Sequence, residues 1–168
     1  QSSTMTGIPD DEFILGDVPM TKSEIRAISL SKLNLKSDSI IWDVGAGTGS
    51  VSIECALAAE DGKVYAIEKK PEAVKLTEEN KIKFRTDNLE IIEGAAPEAL
   101  KELPAPTHVF IGGSSGNLRE IVDTVLEKNN DATIVINAIT LETQNEASAL
   151  AEKFEKFEVV SASISRSR

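Results

Sequence analysis

The stretch that decides the fold is Ser39-Ile40-Ile41-Trp42 followed by Asp43-Val44-Gly45-Ala46-Gly47-Thr48-Gly49 and then Val51-Ser52-Ile53-Glu54-Cys55-Ala56-Leu57. An apolar strand-like run ends in an acid, passes through three glycines at alternate positions, and enters a helix-like run. Glycines so placed describe a tight turn with no Cβ atoms to hold a ligand away from the backbone. The turn predicts a flat or charged ligand against it.

Spacing narrows the ligand. A dinucleotide fingerprint, Gly-x-Gly-x-x-Gly, would need its third glycine at position 50, where Ser50 stands. A second acid, Glu68, closes the strand-like run Lys63-Val64-Tyr65-Ala66-Ile67, 25 residues after Asp43. An acid at the end of the second strand of a βαβ unit is placed to accept hydrogen bonds from ribose hydroxyls. The pattern Asp-x-Gly-x-Gly-x-Gly resembles motif I of the class I methyltransferases, whose loop passes under the methionine and ribose of S-adenosylmethionine.

Outward from this unit, strands and helices alternate. Residues 7–20 carry two prolines, two glycines and four acids with no helical period and read as an extended lead segment. Thr21-Lys22-Ser23-Glu24 forms a capping box before a helix bearing Ile25, Ile28, Leu30 and Leu33, which stops near Asn34 and is placed to close over the glycine loop. Pro71 opens a helix with Ala73, Leu76, Asn80 and Phe84 on one side. Strand Leu89–Glu93 leads into Gly94-Ala95-Ala96-Pro97-Glu98, small enough for a flat ring such as adenine, although a plain strand-to-helix turn reads the same way.

Strand Thr107–Ile111 runs into Gly112-Gly113-Ser114-Ser115-Gly116, and the next helix stripes Leu118, Ile121, Val122 and Val125. The apolar run Ala132–Ile136 ends at Asn137 and predicts a strand buried on both faces. A last helix (Ala147, Leu150, Ala151, Phe154) precedes a strand over 158–164. Alternation of this kind predicts an α/β, Rossmann-like, mostly parallel sheet with helices on both faces. Asp43, Glu68, Gly94, Gly112 and Asn137 all fall at strand ends, where such sheets bind ligands.

The chain has 168 residues, enough for one α/β domain, with a formal charge of −10 and a sequence pI near 4.7. That field repels nucleic acid and anionic membrane, and Lys69-Lys70 reads as a solvated strand end. Cys55 alone forms no internal disulfide, no apolar run reaches about 18 residues, and no basic-apolar leader opens the chain, so a cytoplasmic enzyme is expected. Residues 1–5 read as a frayed terminus. His108, the only histidine, is expected at the strand end opposite the cleft, and Cys55 in the core.

Taken whole, the chain resembles the decarboxylating precorrin C15-methyltransferases of cobalamin biosynthesis, also found as the C-terminal half of a fused C5,15-methyltransferase. The residues carrying the resemblance are Gly7–Phe13, Val18–Lys22, Asp43–Gly49, Ala96–Leu100, Phe110–Gly116 and Asn137–Glu142. The resemblance implies transfer of a methyl group from S-adenosylmethionine to C15 of precorrin-6B or its cobalt form, with loss of the C12 acetate carboxyl as CO₂. It places Thr21, Gly45, Ala46, Gly47, Thr48, Gly49, Glu68 and Ala96 at the cofactor, with no metal, and implies a homotetramer.

Where the family carries an acid, this chain has Ala95. Similar proteins continue into a closing hairpin and a seventh strand, so with the chain stopping at Arg168 a sheet edge is expected to be incomplete. Residues 1–20 are read as the lead segment and 21–168 as the methyltransferase domain. A tetrapyrrole polycarboxylate needs local cations, for which Lys22, Arg26, Arg119, Arg166 and Arg168 are candidates. Methylation of another substrate, or a cofactor-binding subunit without activity, are the competing readings, and a nicotinamide oxidoreductase fits least.

Overall fold

The computed structural model describes residues 7–113, 116–138, 141–153 and 157–160. Helices and strands alternate in the order α1 (Ser23–Leu33), β1 (Ile40–Val44), α2 (Ser50–Ala58), β2 (Lys63–Glu68), α3 (Pro71–Phe84), β3 (Leu89–Glu93), β4 (His108–Ile111), α4 (Leu118–Lys128), β5 (Thr133–Asn137), α5 (Leu141–Lys153) and β6 (Phe157–Val160). The six strands form one sheet in the order β3-β2-β1-β4-β5-β6. Every pairing is parallel. The strand order reverses between β1 and β4, which opens the cleft for a ligand at their carboxyl ends.

The two-residue period of a strand sorts side chains into two layers. Trp42, Val44, Val109, Ile111, Ile134 and Ile136 pack under α4 and α5. Ile41, Val64, Phe110 and Val135 pack under α1 and α2. Neighbouring residues of β5 enter opposite layers, and Ile134, Val135 and Ile136 are all buried, as its continuous apolar run requires. Asp43 shares the parity of Ile41 and so faces α2.

Three local expectations change. Helix α1 starts at Ser23 with Lys22 as its N-cap and no side-chain cap, so the Thr21 capping box does not form. The Thr21 carbonyl accepts from Arg26 Nη1 instead. On α3 the buried positions are Ala73, Thr77 and Asn80, with Leu76 half-buried, because this face meets polar backbone in place of a greasy layer. Strand β6 begins at Phe157; the side chains of Ala151 and Phe154 and residues 161–164 lie outside the described residues.

The lead segment is not merely extended. It makes a 3₁₀ turn at Asp10–Glu12 and sends Phe13 into the core, where its ring lies 5.0 Å from that of Phe84 and 4.8 Å from the Arg26 guanidinium. Arg26 is fully buried. Its Nε donates to Glu54 Oε2 at 2.9 Å, Nη1 to Asp10 Oδ1 at 2.9 Å, and Nη2 to the Ile8 carbonyl. Glu54 Oε1 in turn accepts the Gly7 N–H at 2.9 Å. One buried ion pair thus binds the lead segment, α1 and α2 together. Asn80 adds a second tie: its amide exchanges hydrogen bonds with the backbone of Ile14 and donates to the Thr48 carbonyl at 3.0 Å.

Removing one member of a buried pair strands the other charge. Arg26→Ala is expected to lower stability by about 3–5 kcal/mol in urea unfolding, while Arg26→Met combined with Glu54→Leu recovers most of that loss. An Arg26→Ala chain as stable as the parent would remove this pair from the account of the fold.

Candidate functional site

A cavity of about 450 Å³ opens at the carboxyl edge of the sheet, within the usual range for small-molecule sites. Its walls come from the lead segment and α1 (Val18 to Lys22, Ile25), the loop after β1, the ends of β2 to β5, and α4 through Asn117 and Ile121. Gly45, Gly47 and Gly49 hold φ of +76°, +62° and +86°, left-handed conformations that other residues adopt only under strain.

Close approach of the chain to itself, more than of a ligand, is what excludes a side chain from these glycines. A Cβ on Gly45 would lie 2.8 Å from the Gly113 nitrogen, on Gly47 3.0 Å from the Pro19 carbonyl, and on Gly49 2.6 Å from Thr77 Cγ2. Each glycine seats the loop against a different neighbour. Thr77 Oγ1 donates to the Gly47 carbonyl at 2.9 Å, and Glu68 Oε1 accepts the Gly47 N–H at 2.8 Å. Glu68 Oε2 accepts the Lys70 N–H at 3.2 Å, leaving further lone pairs on both oxygens.

The predicted site residues divide. Thr21, Gly45, Ala46, Gly47, Glu68 and Ala96 all border the cavity, as does Ala95. Thr48 and Gly49 do not: Thr48 is 1% exposed with its carbonyl bonded to Asn80, and Gly49 caps α2 against Thr77. Among the basic candidates Lys22 borders the cavity, and so do Lys69 and Lys70, which the sequence reading left as a solvated strand end. Arg26 is spent on the buried pair and unavailable to a ligand. Arg119 is exposed away from the cavity wall, and Ser114, Ser115, Arg166 and Arg168 lie outside the described residues.

Gly112 and Gly113 border the cavity from the turn after β4, and so does Asn117, which no sequence motif marks. Asn117 Nδ2 donates to the Ala96 carbonyl at 2.6 Å, tying α4 to the turn after β3, a contact between distant segments that no local pattern announces. His108 stands at the start of β4, off the cavity wall, with Nδ1 2.7 Å from Thr107 Oγ1; burial, then Lys36, lowers its pKa below 6.5. Cys55 is fully buried, which pushes its thiol pKa up and keeps it protonated.

Asp43 lies behind the cavity, 1% exposed, and accepts from Ser52 Oγ at 2.5 Å. Loss of solvent raises its pKa from 3.8 to about 7; the Ser52 bond opposes this and the Glu68 charge adds to it. The acid at the end of β1 is therefore a buried clamp on the β1–α2 turn, and Glu68 is the carboxylate that the cavity presents.

The family model for the precorrin methyltransferase domain matches residues 12–167. A curated relative from Sulfolobus acidocaldarius, named probable cobalt-precorrin-6B C(15)-methyltransferase (decarboxylating), is 47% identical over 164 residues, covering 93% of this chain and 85% of its own. The crystal structure of precorrin-6y C5,15-methyltransferase from Geobacter metallireducens superposes with a TM-score of 0.83 at 43% identity, over 88% of this chain and 79% of that one. The precorrin 8w decarboxylase of Methanobacterium thermoautotrophicum gives 0.80 at 38% identity, over 87% and 80%.

The Asp43 carboxyl yields a pH test. Between 3.8 and about 7 the folded chain holds a proton that the unfolded chain releases. Its stabilising contribution is therefore complete below 3.8 and is lost as pH rises to about 7. In urea unfolding, the parent is expected to gain on Asp43→Asn as pH falls from about 8 to 5, by at most about 1.4 kcal/mol per unit. A difference that does not change with pH would show that Asp43 ionises normally.

Proposed function

The chain belongs to the precorrin methyltransferase family, and from that premise we propose that it methylates C15 of precorrin-6B or its cobalt form with decarboxylation of the C12 acetate side chain, using S-adenosylmethionine. The observation that carries the cofactor reading is Glu68. Its carboxylate borders the cavity at the end of β2 while holding the Gly47 N–H, next to a wall of Gly94, Ala95 and Ala96.

These residues fit the donor. Glu68 keeps lone pairs for a ribose diol, the small residues after β3 leave space for adenine, and the loop lies alongside. The carboxylate would serve the ribose of either adenosine cofactor, and Ser50, standing where a dinucleotide loop needs its third glycine, favours the methyl donor. When bound, S-adenosylmethionine supplies a methyl group on a sulfonium that already carries its leaving group.

What the chain must do is align and enclose. Lys22 from one segment and Gly112 and Asn137 from others border the same cavity as the cofactor residues, and the lead segment, pinned by Arg26, keeps its wall in place. Decarboxylation leaves an electron pair that the conjugated macrocycle can accept, so no Schiff-base lysine is required. Lys22, Lys69 and Lys70 put cations at the mouth of a protein of charge −10 and offset its repulsion of a polycarboxylate. No described helix is long and apolar enough to cross a membrane. Cytoplasmic placement and a homotetramer complete the reading, the latter open to sedimentation analysis.

Calorimetric titration tests the donor site. S-adenosylhomocysteine is expected to bind the parent chain and NAD is not, while Gly47→Val weakens the former by roughly 10- to 100-fold through strain of about 1–3 kcal/mol at a left-handed position. With precorrin-6B or cobalt-precorrin-6B, one CO₂ is expected per methyl transferred. A folded chain that ignores S-adenosylhomocysteine sinks the proposal, and methyl transfer without CO₂ sinks its decarboxylating half.

A further inference from the structure

Asn137 ends β5 at the carboxyl edge of the sheet and borders the cavity. The residue is 8% exposed, and its side-chain oxygen is buried with no hydrogen-bond partner among the described residues. A buried carbonyl that has given up water and gained nothing is unfavourable, and an apolar residue of the same shape would avoid that cost. Ser29, Trp42 and Thr48 also carry unpartnered buried atoms, but none of them borders the cavity. Asn137 alone among these is a residue of the cavity wall, so that a turn of its side-chain amide would bring the unused acceptor to a ligand.

Its place along the sheet selects the ligand. From β2 through β1 and β4 to β5 there are three strand steps, so the end of β5 lies about 14 Å from that of β2 at about 4.8 Å per step. With the donor's ribose at Glu68 and its chain laid across β1, Asn137 stands beyond the sulfur, on the acceptor's side. The Asn117 amide nearby is already committed to the Ala96 carbonyl.

We propose that Asn137 is a substrate-contacting residue whose side-chain carbonyl accepts a hydrogen bond from a ring N–H of the tetrapyrrole beside the carbon that is methylated. This rests on the methyltransferase reading above. The carboxylates of such a substrate have no proton to give at neutral pH, so in its metal-free form, where no cobalt has displaced the ring protons, the ring nitrogens are the donors that match an unpaired acceptor. As the new C–C bond forms, the S–CH₃ bond breaks with its electron pair staying on sulfur, and the ring nitrogen conjugated to the reacting carbon becomes an iminium N–H⁺. A carbonyl dipole turned toward that position stabilises the charge. Departure of CO₂, whichever step comes first, returns an electron pair to the conjugated ring and offsets that charge. Lys22, on the other wall, suits the carboxylates, so charge and ring recognition fall to different residues.

The test compares the full chain with Asn137→Leu and Asn137→Asp in three measurements: calorimetry with S-adenosylhomocysteine, thermal unfolding without ligand, and steady-state turnover of metal-free precorrin-6B, whose ring nitrogens keep their protons. Asn137→Leu is expected to bind S-adenosylhomocysteine within about 2-fold of the parent, to unfold no earlier, and to lose about 10- to 100-fold in kcat/KM, chiefly in kcat. Asn137→Asp keeps an acceptor and is expected to stay within about 5-fold. Turnover by Asn137→Leu at the parent's rate overturns the inference, as does a loss of S-adenosylhomocysteine affinity as large as the loss of turnover. Should Asn137→Leu fail to fold, Asn137→Asp decides, since a folded but inactive aspartate variant removes the acceptor role. A parent chain that binds S-adenosylhomocysteine yet does not turn over the precorrin sinks the substrate reading first, and this assignment with it.

Discussion

The hydrogen bond from the Gly47 N–H to Glu68 Oε1 joins the loop after β1 to the end of β2, and the site is built around it. Three left-handed glycines in five residues cannot hold a shape unaided, because glycine has the most conformational freedom to lose. The loop is fixed from outside: Glu68 takes an amide, Thr77 a carbonyl through its hydroxyl, and Asn80 the next carbonyl. The carboxylate presented to a ligand is therefore also the one that shapes the ligand's bed. Loss of Glu68 would act on both at once.

The second frame is the lead segment. Met20, Thr21 and Lys22 form cavity wall only because residues further back are anchored: Ile8 and Asp10 on the buried Arg26, Gly7 on Glu54, and Ile14 on Asn80. This explains how a segment rich in proline and acids, with no helical period, can serve as one side of a binding site. It also resolves the apparent mismatch between an acidic protein and a polycarboxylate substrate. The acids of the lead segment and α2 are partly consumed by Arg26, whereas three lysines are gathered at the cavity.

Much of the fold was legible because it is written in short periods. The alternation of apolar runs and striped helices predicts one parallel sheet with helices on both faces, and the strand-end acids and glycines mark the edge where the cleft opens. Six of the eight residues assigned to the cofactor border the cavity. Thr48 and Gly49 were drawn in by adjacency, since a motif marks a loop without saying which of its residues turn outward. Arg26, a candidate cation for substrate carboxylates by sequence, is instead paired inside the protein, because Asp10 and Glu54, distant along the chain, converge on it.

By itself, then, the sequence determined the parallel α/β sheet, the position of the ligand edge and the class of loop at its centre, because periodicity and left-handed turn chemistry act over a few residues. Tertiary structure decided which neighbour each glycine must admit, that Asp43 is a buried clamp with a raised pKa while Glu68 faces the cavity, that the lead segment is a wall, and that Asn137 buries an unpaired oxygen on that wall. Those facts depend on distances between segments far apart in the chain, and no local pattern encodes a distance of that kind.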